Sequence, residues 1–158
     1  MSVVVLGTGE GARTSLPNGH DLRYLDMAPD GAFSLLEWTA RPGLPGSAIH
    51  LHHRTDEGFY VVAGTYGFLI GDERIEASEG GYVFVPHGIV HAFWNAGVAD
   101  ARMLITIAPA GLEGYFRELS DALADGGQDE VRAADVRRAL SSRYDIEVVG
   151  PPVEPPRP

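Results

Sequence analysis

The chain has 158 residues, a length that suits one domain with its own core, and we predict a single domain over residues 1–158. It contains no cysteine, which excludes thiolate nucleophiles, disulfides, iron–sulfur clusters and thiolate-bound zinc. All 12 basic residues are arginine, so no lysine is present for Schiff-base catalysis, and this bias hints at a GC-rich bacterial genome. The net charge of −10, with no basic stripe, disfavours a nucleic-acid partner.

The N-terminal region carries a glycine-rich motif, GTGEGA at residues 7–12, which matches the dinucleotide fingerprint G-x-G-x-x-G/A and follows the apolar run VVVL. That fingerprint requires a helix to begin within the motif. Here Pro17 and the pair Asn18-Gly19 follow, and they forbid a helix at this place. The motif therefore predicts a glycine-rich loop and not a nucleotide site.

Targeting and membrane signals are weak in this sequence. The N-terminal region has no positive charge and only four consecutive apolar residues before Gly7, too few for a signal peptide. The longest weakly polar run, residues 60–71, is too short to span a bilayer. We expect a cytoplasmic protein with no membrane partner.

Residues 32–108 alternate between short runs of β-branched or aromatic residues and turn-forming residues such as PGLPG, GDE and SEGG. This even spacing, without a helical period, predicts an all-β antiparallel sandwich or barrel over these residues. The predicted strands are FSLLEWTA, IHLHH, GFYVVAG, YGFLIG, RIEA, YVFVP, HAFWN and RMLITIA.

The hydrophobic period becomes helical after residue 111. Apolar residues at helical spacing predict an amphipathic helix over residues 112–124 that covers apolar surface. A second helix is predicted over residues 129–142, because acidic residues lie in its first turn and arginines lie near its end. The segment IEVVG is predicted to form an edge strand, followed by an extended, mobile tail over residues 150–158.

Three of the six histidines lie in the octet HLHHRTDE at residues 50–57. Histidine is the side chain most often recruited as a neutral metal ligand or a proton shuttle. On a strand, His50 and His52 share a face with Cα atoms roughly 6.5 Å apart, which suits two ligands of one ion. Glu57 joins them only if the chain turns at residues 54–56 onto a neighbouring strand. The alternative is a histidine-rich surface strand.

A fourth candidate ligand lies in GGYVFVPHGIVHAFWN at residues 80–95. Pro86 and Gly88 predict a tight turn between two strands, and His91, at the start of the second strand, could reach across the barrel to the first cluster. Three imidazoles and a carboxylate form a borderline-hard set that suits one divalent transition metal ion: Fe, Mn, Ni, Co, Cu or Zn.

Together these two segments resemble the two sequence motifs of the cupin superfamily. The motifs read His50-x-His52-x4-Glu57-x6-Gly64 and Gly80-x5-Pro86-x-Gly88-x2-His91-x3-Asn95. The similarity covers residues 30–108, and the C-terminal helices and tail look like those of small single-domain cupins of the quercetin- or flavonol-dioxygenase-like kind. The chain departs slightly from the pattern at Gly81, where an acidic residue often follows the glycine.

The resemblance implies an antiparallel jelly-roll β-barrel with a metal near its centre and with C-terminal α-helices packed on it. It implies four metal ligands: His50, His52, Glu57 and His91. In the flavonol dioxygenases that this chain resembles, the equivalent glutamate is thought both to bind the metal and to take a proton from the substrate. Glu57 is therefore also the candidate catalytic residue.

Four residues near the motifs are predicted to have other roles. Because successive side chains on a strand point to opposite faces, His53 is expected to point away from His52. It would then lie at the surface, or contact a metal ligand without binding the metal itself. His87 lies within a turn and is expected to be exposed. Asn95 is expected to make a turn hydrogen bond, and Tyr60 is expected to lie among core residues.

Alternation along the strands predicts an apolar and aromatic wall beside the metal, which favours a flat or hydrophobic substrate over a phosphorylated sugar. Simple filling of the barrel core is the alternative, and alternation does not separate the two. The predicted pocket residues, or their alternating neighbours, are Phe33, Leu35, Phe59, Val61, Phe93, Met103, Ile105 and Ile107.

The function these features predict is metal-dependent dioxygenation of a small, mostly apolar or aromatic enol or phenol, with O2 as co-substrate. One alternative is a non-oxidative isomerase, cyclase or lyase in which the same ion polarises a carbonyl. The other is a small-molecule binding module without chemistry. Exposed barrel edges further predict a homodimer.

Overall fold

The computed structural model describes residues 3–27, 31–124 and 130–155. In these residues strands dominate, and two helices follow the main body of strands. In chain order the elements are β1 Arg13–Ser15, β2 Asp21–Asp26, β3 Ser34–Ala40, β4 Ala48–Leu51, β5 Asp56–Ala63, β6 Thr65–Ile70, β7 Glu73–Ser78, β8 Tyr82–Val85, β9 His91–Asn95, β10 Ala101–Ala108, α1 Glu113–Leu123, α2 Glu130–Arg143 and β11 Glu147–Pro152.

The strands form two antiparallel sheets that pack face to face. The six-stranded sheet has the order β1-β2-β3-β10-β5-β8, and the five-stranded sheet has the order β11-β4-β9-β6-β7. Chain neighbours such as β4 and β5 lie in different sheets, so the chain crosses repeatedly between the two layers. This confirms the predicted all-β, jelly-roll architecture with C-terminal helices.

Each predicted strand between residues 33 and 108 has a counterpart in the structure, with ends that differ by at most two residues. Two strands were not predicted: β1 and β2, which form a hairpin around the turn that contains Gly19. From the sequence, Pro17 and the pair Asn18-Gly19 predicted a loop. In the structure they form the turn of this hairpin. The chain enters β1 directly after the GTGEGA motif, without a helix there.

The main core lies between the sheets and follows the predicted alternation on β5 and β10. Phe59 and Val61 of β5 are fully buried, whereas Tyr60 between them is 45% exposed, so its predicted core position is wrong. Alternation gives the reason, because neighbours on a strand face opposite sides of the sheet. The inward residues of β10 are Met103, Ile105 and Ile107.

The predictions for Phe33 and Leu35 are wrong by one position in register. Strand β3 begins at Ser34, and its core side chains are Leu36 and Trp38. Phe33 precedes the strand and is 46% exposed, and Leu35 faces the opposite side of the sheet from Leu36.

Both predicted C-terminal helices are present as α1 and α2. Leu119 and Leu123 of α1 pack with Ala133 and Leu140 of α2 in a separate apolar cluster. Phe116 of α1 also reaches the main core, where its ring contacts Trp38 with a centroid distance of 5.6 Å. Neither helix, over the described part of the chain, is long and apolar enough to cross a membrane.

The tail is more ordered than predicted. Strand β11 continues through Pro152 and pairs with β4, and Val153 beyond it is buried against Ala92 and Trp94. Proline fits here because β11 is an edge strand, where a missing N–H leaves no ladder bond unmade. The predicted mobile tail is therefore wrong for residues 150–153, and residues 156–158 lie outside the described part.

His20 is a buried structural histidine that the sequence analysis did not identify. Its Nε2–H donates to the carbonyl oxygen of Pro45 at 2.9 Å, and the backbone N–H of Arg41 donates to its Nδ1 at 3.3 Å. Both contacts require a neutral ring with the proton on Nε2. Burial lowers the pKa of His20 below its ordinary value of 6.5.

We expect His20 to make the stability of the protein depend on pH. Because its folded-state pKa is depressed, its contribution is present above the unfolded-state pKa near 6.5 and is lost as the pH falls through the folded-state value. His20→Gln should lower the free energy of unfolding at pH 7.5 by about 1–3 kcal/mol. It should also flatten the decline between pH 7 and pH 5, measured by urea denaturation in EDTA. An unchanged pH slope would contradict this role, and the exposed His53→Gln variant is the control.

Candidate metal centre

Four side chains from three strands and one loop meet between the two sheets. His50 on β4 and His91 on β9 are direct partners in the sheet register. His52 follows β4, and Glu57 comes from β5 in the other sheet after the predicted turn. One potential ligand atom from each of the four lies within 4.8 Å of the others, a spacing compatible with atoms about 2.0–2.2 Å from a shared ion.

The turn between β8 and β9 helps to place His91. Gly88 has a φ of +80°, a conformation that side-chain-bearing residues rarely adopt, so glycine is required in this Pro86-x-Gly88 turn. The N–H of Gly88 donates to the carbonyl oxygen of His52 at 2.6 Å. This hydrogen bond joins the turn of the second motif directly to His52 of the first motif, at the end of β4.

All three histidines are held in the same tautomer by backbone carbonyls. The Nδ1–H of His50 donates to Ala48 at 2.8 Å, and that of His91 donates to Ile89 at 2.9 Å. The Nδ1–H of His52 donates to the carbonyl of Asp145 at 2.8 Å. A carbonyl oxygen only accepts, so each Nδ1 carries the proton and each Nε2 is left as a lone-pair donor to a metal.

The carboxylate of Glu57 completes the cluster. Its Oε2 lies 2.8 Å from Nε2 of His91 and 3.3 Å from Nε2 of His52. Glu57, His52 and His91 are each at most 5% exposed, and the Nε2 of His52 has no hydrogen-bond partner among the described residues. Atoms that all present lone pairs repel unless a proton or a cation lies between them. The set therefore fits one divalent transition metal ion with nitrogen and oxygen ligands.

Burial and mutual charge determine the ionisation of these side chains. Burial alone would raise the pKa of Glu57, but His52 and His91 outweigh it and hold the pKa far below its usual range. Burial would lower the pKa of His52, but the Glu57 carboxylate and the Asp145 carbonyl together raise it. The pKa of His50 falls to about 4, chiefly through burial and then through His91. His50 is therefore neutral near pH 7, as a ligand must be.

The neighbouring polar residues lie outside the cluster. His53 is exposed and its Nε2 lies 2.8 Å from Glu147, and His87 is exposed and its Nδ1 lies 2.7 Å from Asp56. Asn95 is buried, where its side-chain N–H groups donate to Ala40 and Ala99 at 2.8 Å each and its oxygen accepts from Gly97. Asn95 thus ties the end of β9 to the loop before β10.

The apolar side chains predicted to form the wall pack close to the cluster. The ring of Phe59 lies 6.4 Å from that of His91 and 5.5 Å from that of Phe93, between centroids. Phe59, Val61, Phe93, Met103 and Ile105 all belong to the main core. Their burial agrees with both alternatives, a lined pocket and a filled core, so contact with a substrate stays a prediction.

Asp145, which no sequence motif indicated as part of the site, lies between α2 and β11 and contacts His52. It is a non-glycine residue with a positive φ of 59°. Burial would raise the pKa of its carboxyl group, but the backbone N–H groups of Arg54 and His53 hold it below the ordinary value. The only sequence signal was an aspartate placed between a helix and a strand, which normally indicates no more than a turn.

Comparison with known proteins gives one family match. Residues 36–107 match the family model described as a cupin domain, and this range contains all four residues of the cluster. A 57-residue stretch is 33% identical to the uncharacterised protein SCO3923 of Streptomyces coelicolor. That match covers 36% of this chain and 53% of the relative, so the chain spans about half the length of the curated relative that it matches.

Several solved structures have a similar fold. KdgF from Halomonas sp. has a TM-score of 0.60 at 19% identity, over 69% of this chain and 94% of KdgF. TT1209 from Thermus thermophilus has a TM-score of 0.58 at 20% identity, over 68% of this chain and 98% of TT1209. A variant of Streptomyces PAC13 with uridine has a TM-score of 0.55 at 22% identity, over 70% of this chain and 84% of PAC13. At these identities the likeness concerns the fold alone.

Proposed function

We propose that the chain, whose residues 36–107 match the cupin domain family, is a metal-dependent dioxygenase acting on a small, mostly apolar or aromatic enol or phenol. The observation that carries the proposal is the cluster itself, in which three imidazole Nε2 atoms and one carboxylate oxygen converge in a mostly buried place. A divalent transition metal ion held by these four residues would supply a Lewis acid that favours the enolate form of a substrate, and a redox-active ion of the set, which excludes Zn²⁺, would also supply the redox chemistry that dioxygen requires.

Glu57 acts in this proposal as the proton acceptor. Its carboxylate is ionised near pH 7 and can accept the proton of an enol or phenol hydroxyl group. The imidazoles of His52 and His91, which depress its pKa, also weaken it as a base. Its position next to His91 and His52 places it within reach of any group that enters the cluster. The three histidines keep their Nδ1 protons on backbone carbonyls, so they act as fixed ligands and leave proton transfer to Glu57.

The side chains around the cluster support an apolar substrate. Phe59 and Phe93 contact one another close to His91, and an aromatic surrounding favours a flat hydrophobic molecule over a phosphorylated one. It also lowers the local dielectric constant, which would strengthen the attraction between a substrate oxygen atom and a cation held by the four cluster residues.

The proposal is tested by elemental analysis of the purified protein, followed by oxygen-electrode measurements with flavonols and related diketones. The metal-free protein is reconstituted separately with each of the six candidate ions, because the ligand set does not select among them. Oxygen uptake matched to substrate loss would support a dioxygenase. Substrate conversion without oxygen uptake would instead assign an isomerase, cyclase or lyase, and failure to bind any of the ions would contradict the metal-dependent function.

Glu57→Gln should lower the turnover number by about 100-fold or more, since a positioned general base typically contributes 10²–10⁴ to the rate. Metal content should stay measurable because all three imidazoles remain. The matched control is Glu147→Gln, which makes the same chemical change at a glutamate whose side chain is 53% exposed and lies outside the cluster. Equal turnover in the two variants would exclude Glu57 as the base.

The homodimer stays a prediction. Strand β8 forms one edge of the six-stranded sheet, and its Tyr82 and Phe84 are 61% and 54% exposed. An edge strand with exposed aromatic side chains is a suitable surface for pairing with a second copy.

A further inference from the structure

The contact between His52 and Asp145 joins the metal cluster to a part of the chain outside the cupin domain. Residue 145 lies 93 positions beyond His52, and residues 36–107 are the limits of the family match. The Nδ1–H of His52 donates to the backbone carbonyl oxygen of Asp145 at 2.8 Å. His50 and His91 differ in this respect, since each donates to a carbonyl two residues earlier in its own chain segment. Local backbone geometry therefore orients His50 and His91, but not His52.

The carboxylate of Asp145 binds the loop that follows His52. Its Oδ1 accepts the backbone N–H of His53 at 3.2 Å, and its Oδ2 accepts the backbone N–H of Arg54 at 2.9 Å. Oδ2 also accepts the hydroxyl group of Thr55 at 3.3 Å. The side chain of Asp145 is only 13% exposed, so these hydrogen bonds are largely protected from water. One residue thus contacts the loop with its side chain and the ligand ring with its backbone.

The surrounding segment places Asp145 firmly. Strand β11 begins two residues later and pairs with β4, with Val148 opposite His50 and Glu147 opposite Leu51. Asp145 itself has left-handed backbone geometry with a φ of 59°, which aspartate tolerates better than most residues. This turn directs both the carbonyl and the carboxylate of Asp145 towards residues 52–55.

We infer that Asp145 is a positioning residue. Its carboxylate, bound to residues 53–55, keeps its backbone carbonyl on the Nδ1–H of His52, so that the Nε2 of His52 points into the cluster. The segment after α2 thereby completes the site. The metal-binding consequence of this inference rests on the proposed function. The orientation of the His52 ring is independent of the proposed function, because the contact is made between groups of the protein alone.

The test uses the full chain with Asp145→Gly. Glycine adopts the left-handed backbone without strain and retains the carbonyl, so the variant removes only the carboxylate that anchors the loop. We expect the affinity for Co²⁺, measured by competition with a chromophoric chelator, to fall about 10- to 100-fold. The visible spectrum of bound Co²⁺ should also change, because the ligand field depends on His52. Asp145→Asn tolerates the same backbone geometry but keeps only one of the two acceptor oxygens, so it should restore both properties in part and lie between Asp145→Gly and the unmodified protein.

The matched control is Glu147→Gln. It removes one negative charge from the same segment, as Asp145→Gly does, but its carboxylate contacts the exposed His53 and none of the four cluster residues. The affinity for Co²⁺ and the spectrum should be unchanged in this variant. A fall of the same size in both variants would mean that net charge, and not positioning, is responsible.

A metal-free measurement separates this inference from the proposed function. In ¹⁵N–¹H NMR spectra, the Nδ1–H signal of His52 should be present in the unmodified protein and lost or shifted in Asp145→Gly, while those of His50 and His91 stay in place. An unchanged His52 signal would overturn the inference, whatever the metal does. Failure of the unmodified protein to bind Co²⁺ would contradict the metal site but would leave this NMR result to decide the role of Asp145.

Discussion

His91→Ala is expected to reduce the metal content of the purified protein from near one ion per chain to a small fraction. The variant removes one of three imidazoles and the ring whose Nε2 lies nearest to Glu57, at 2.8 Å. Loss of a direct ligand should weaken metal binding by more than the 10- to 100-fold typical of groups that only orient ligands. Elemental analysis and Co²⁺ titration measure the effect.

The fold of His91→Ala should persist. Truncation of one buried side chain costs about 1–3 kcal/mol, within the 5–15 kcal/mol of a typical domain. The matched control is His87→Ala, four residues earlier, where the ring is exposed and pairs with Asp56. That variant should keep its metal. Full retention of metal by His91→Ala, with a native circular dichroism spectrum, would remove His91 from the site.

Gly67→Ala is expected to lower the free energy of unfolding by about 3 kcal/mol, measured by urea denaturation. Gly67 on β6 pairs with Trp94 on β9, whose indole ring lies across the glycine. A Cβ atom at residue 67 would lie 2.2 Å from Cε2 and 2.3 Å from Cζ2 of that ring. The ring cannot move freely, because the guanidinium group of Arg74 stacks on it at 5.0 Å and the indole is buried.

Two further variants test this explanation. Gly97→Ala is the control, because its new Cβ would be no closer than 3.4 Å to the Asn95 oxygen, and it should cost less than about 1 kcal/mol. In a Trp94→Leu background, Gly67→Ala should cost much less than in the unmodified protein, since the clashing ring is gone. Equal costs in the two backgrounds would show that backbone effects, and not the ring, make glycine necessary at residue 67.

The local pattern of the sequence was sufficient to locate most strands, and the resemblance to the two cupin motifs grouped the four cluster residues. Alternation on β5 and β10 correctly predicted that Phe59, Val61 and Met103 face inward, because side chains two residues apart on a strand share a face. Gly88 and its neighbours indicated the turn before His91 for a similarly local reason, since its φ suits glycine. The motif spacing then brought both segments to one proposed site.

Other features were decided only by tertiary contacts. Glu57 reaches the cluster because β4 and β5 lie in different sheets, and no periodicity within HLHHRTDE shows that crossing. The segment Gly150–Val153 is ordered because β4 leaves an edge for β11 to join, although its composition alone indicates a mobile end. A proline-rich composition indicates how costly in conformational entropy it is to order a segment. It does not indicate which strand, here β4, offsets that cost.

The sequence by itself determined which atoms are available to bind a metal, because residue type and alternation are local properties. Only the tertiary structure decided how those atoms are aimed. The proton on Nδ1 of His52 is fixed by Asp145, 93 residues away, and nothing in the spacing of the two residues indicates this contact. Hydrogen bonds between segments depend on how the chain packs, which a local pattern does not encode.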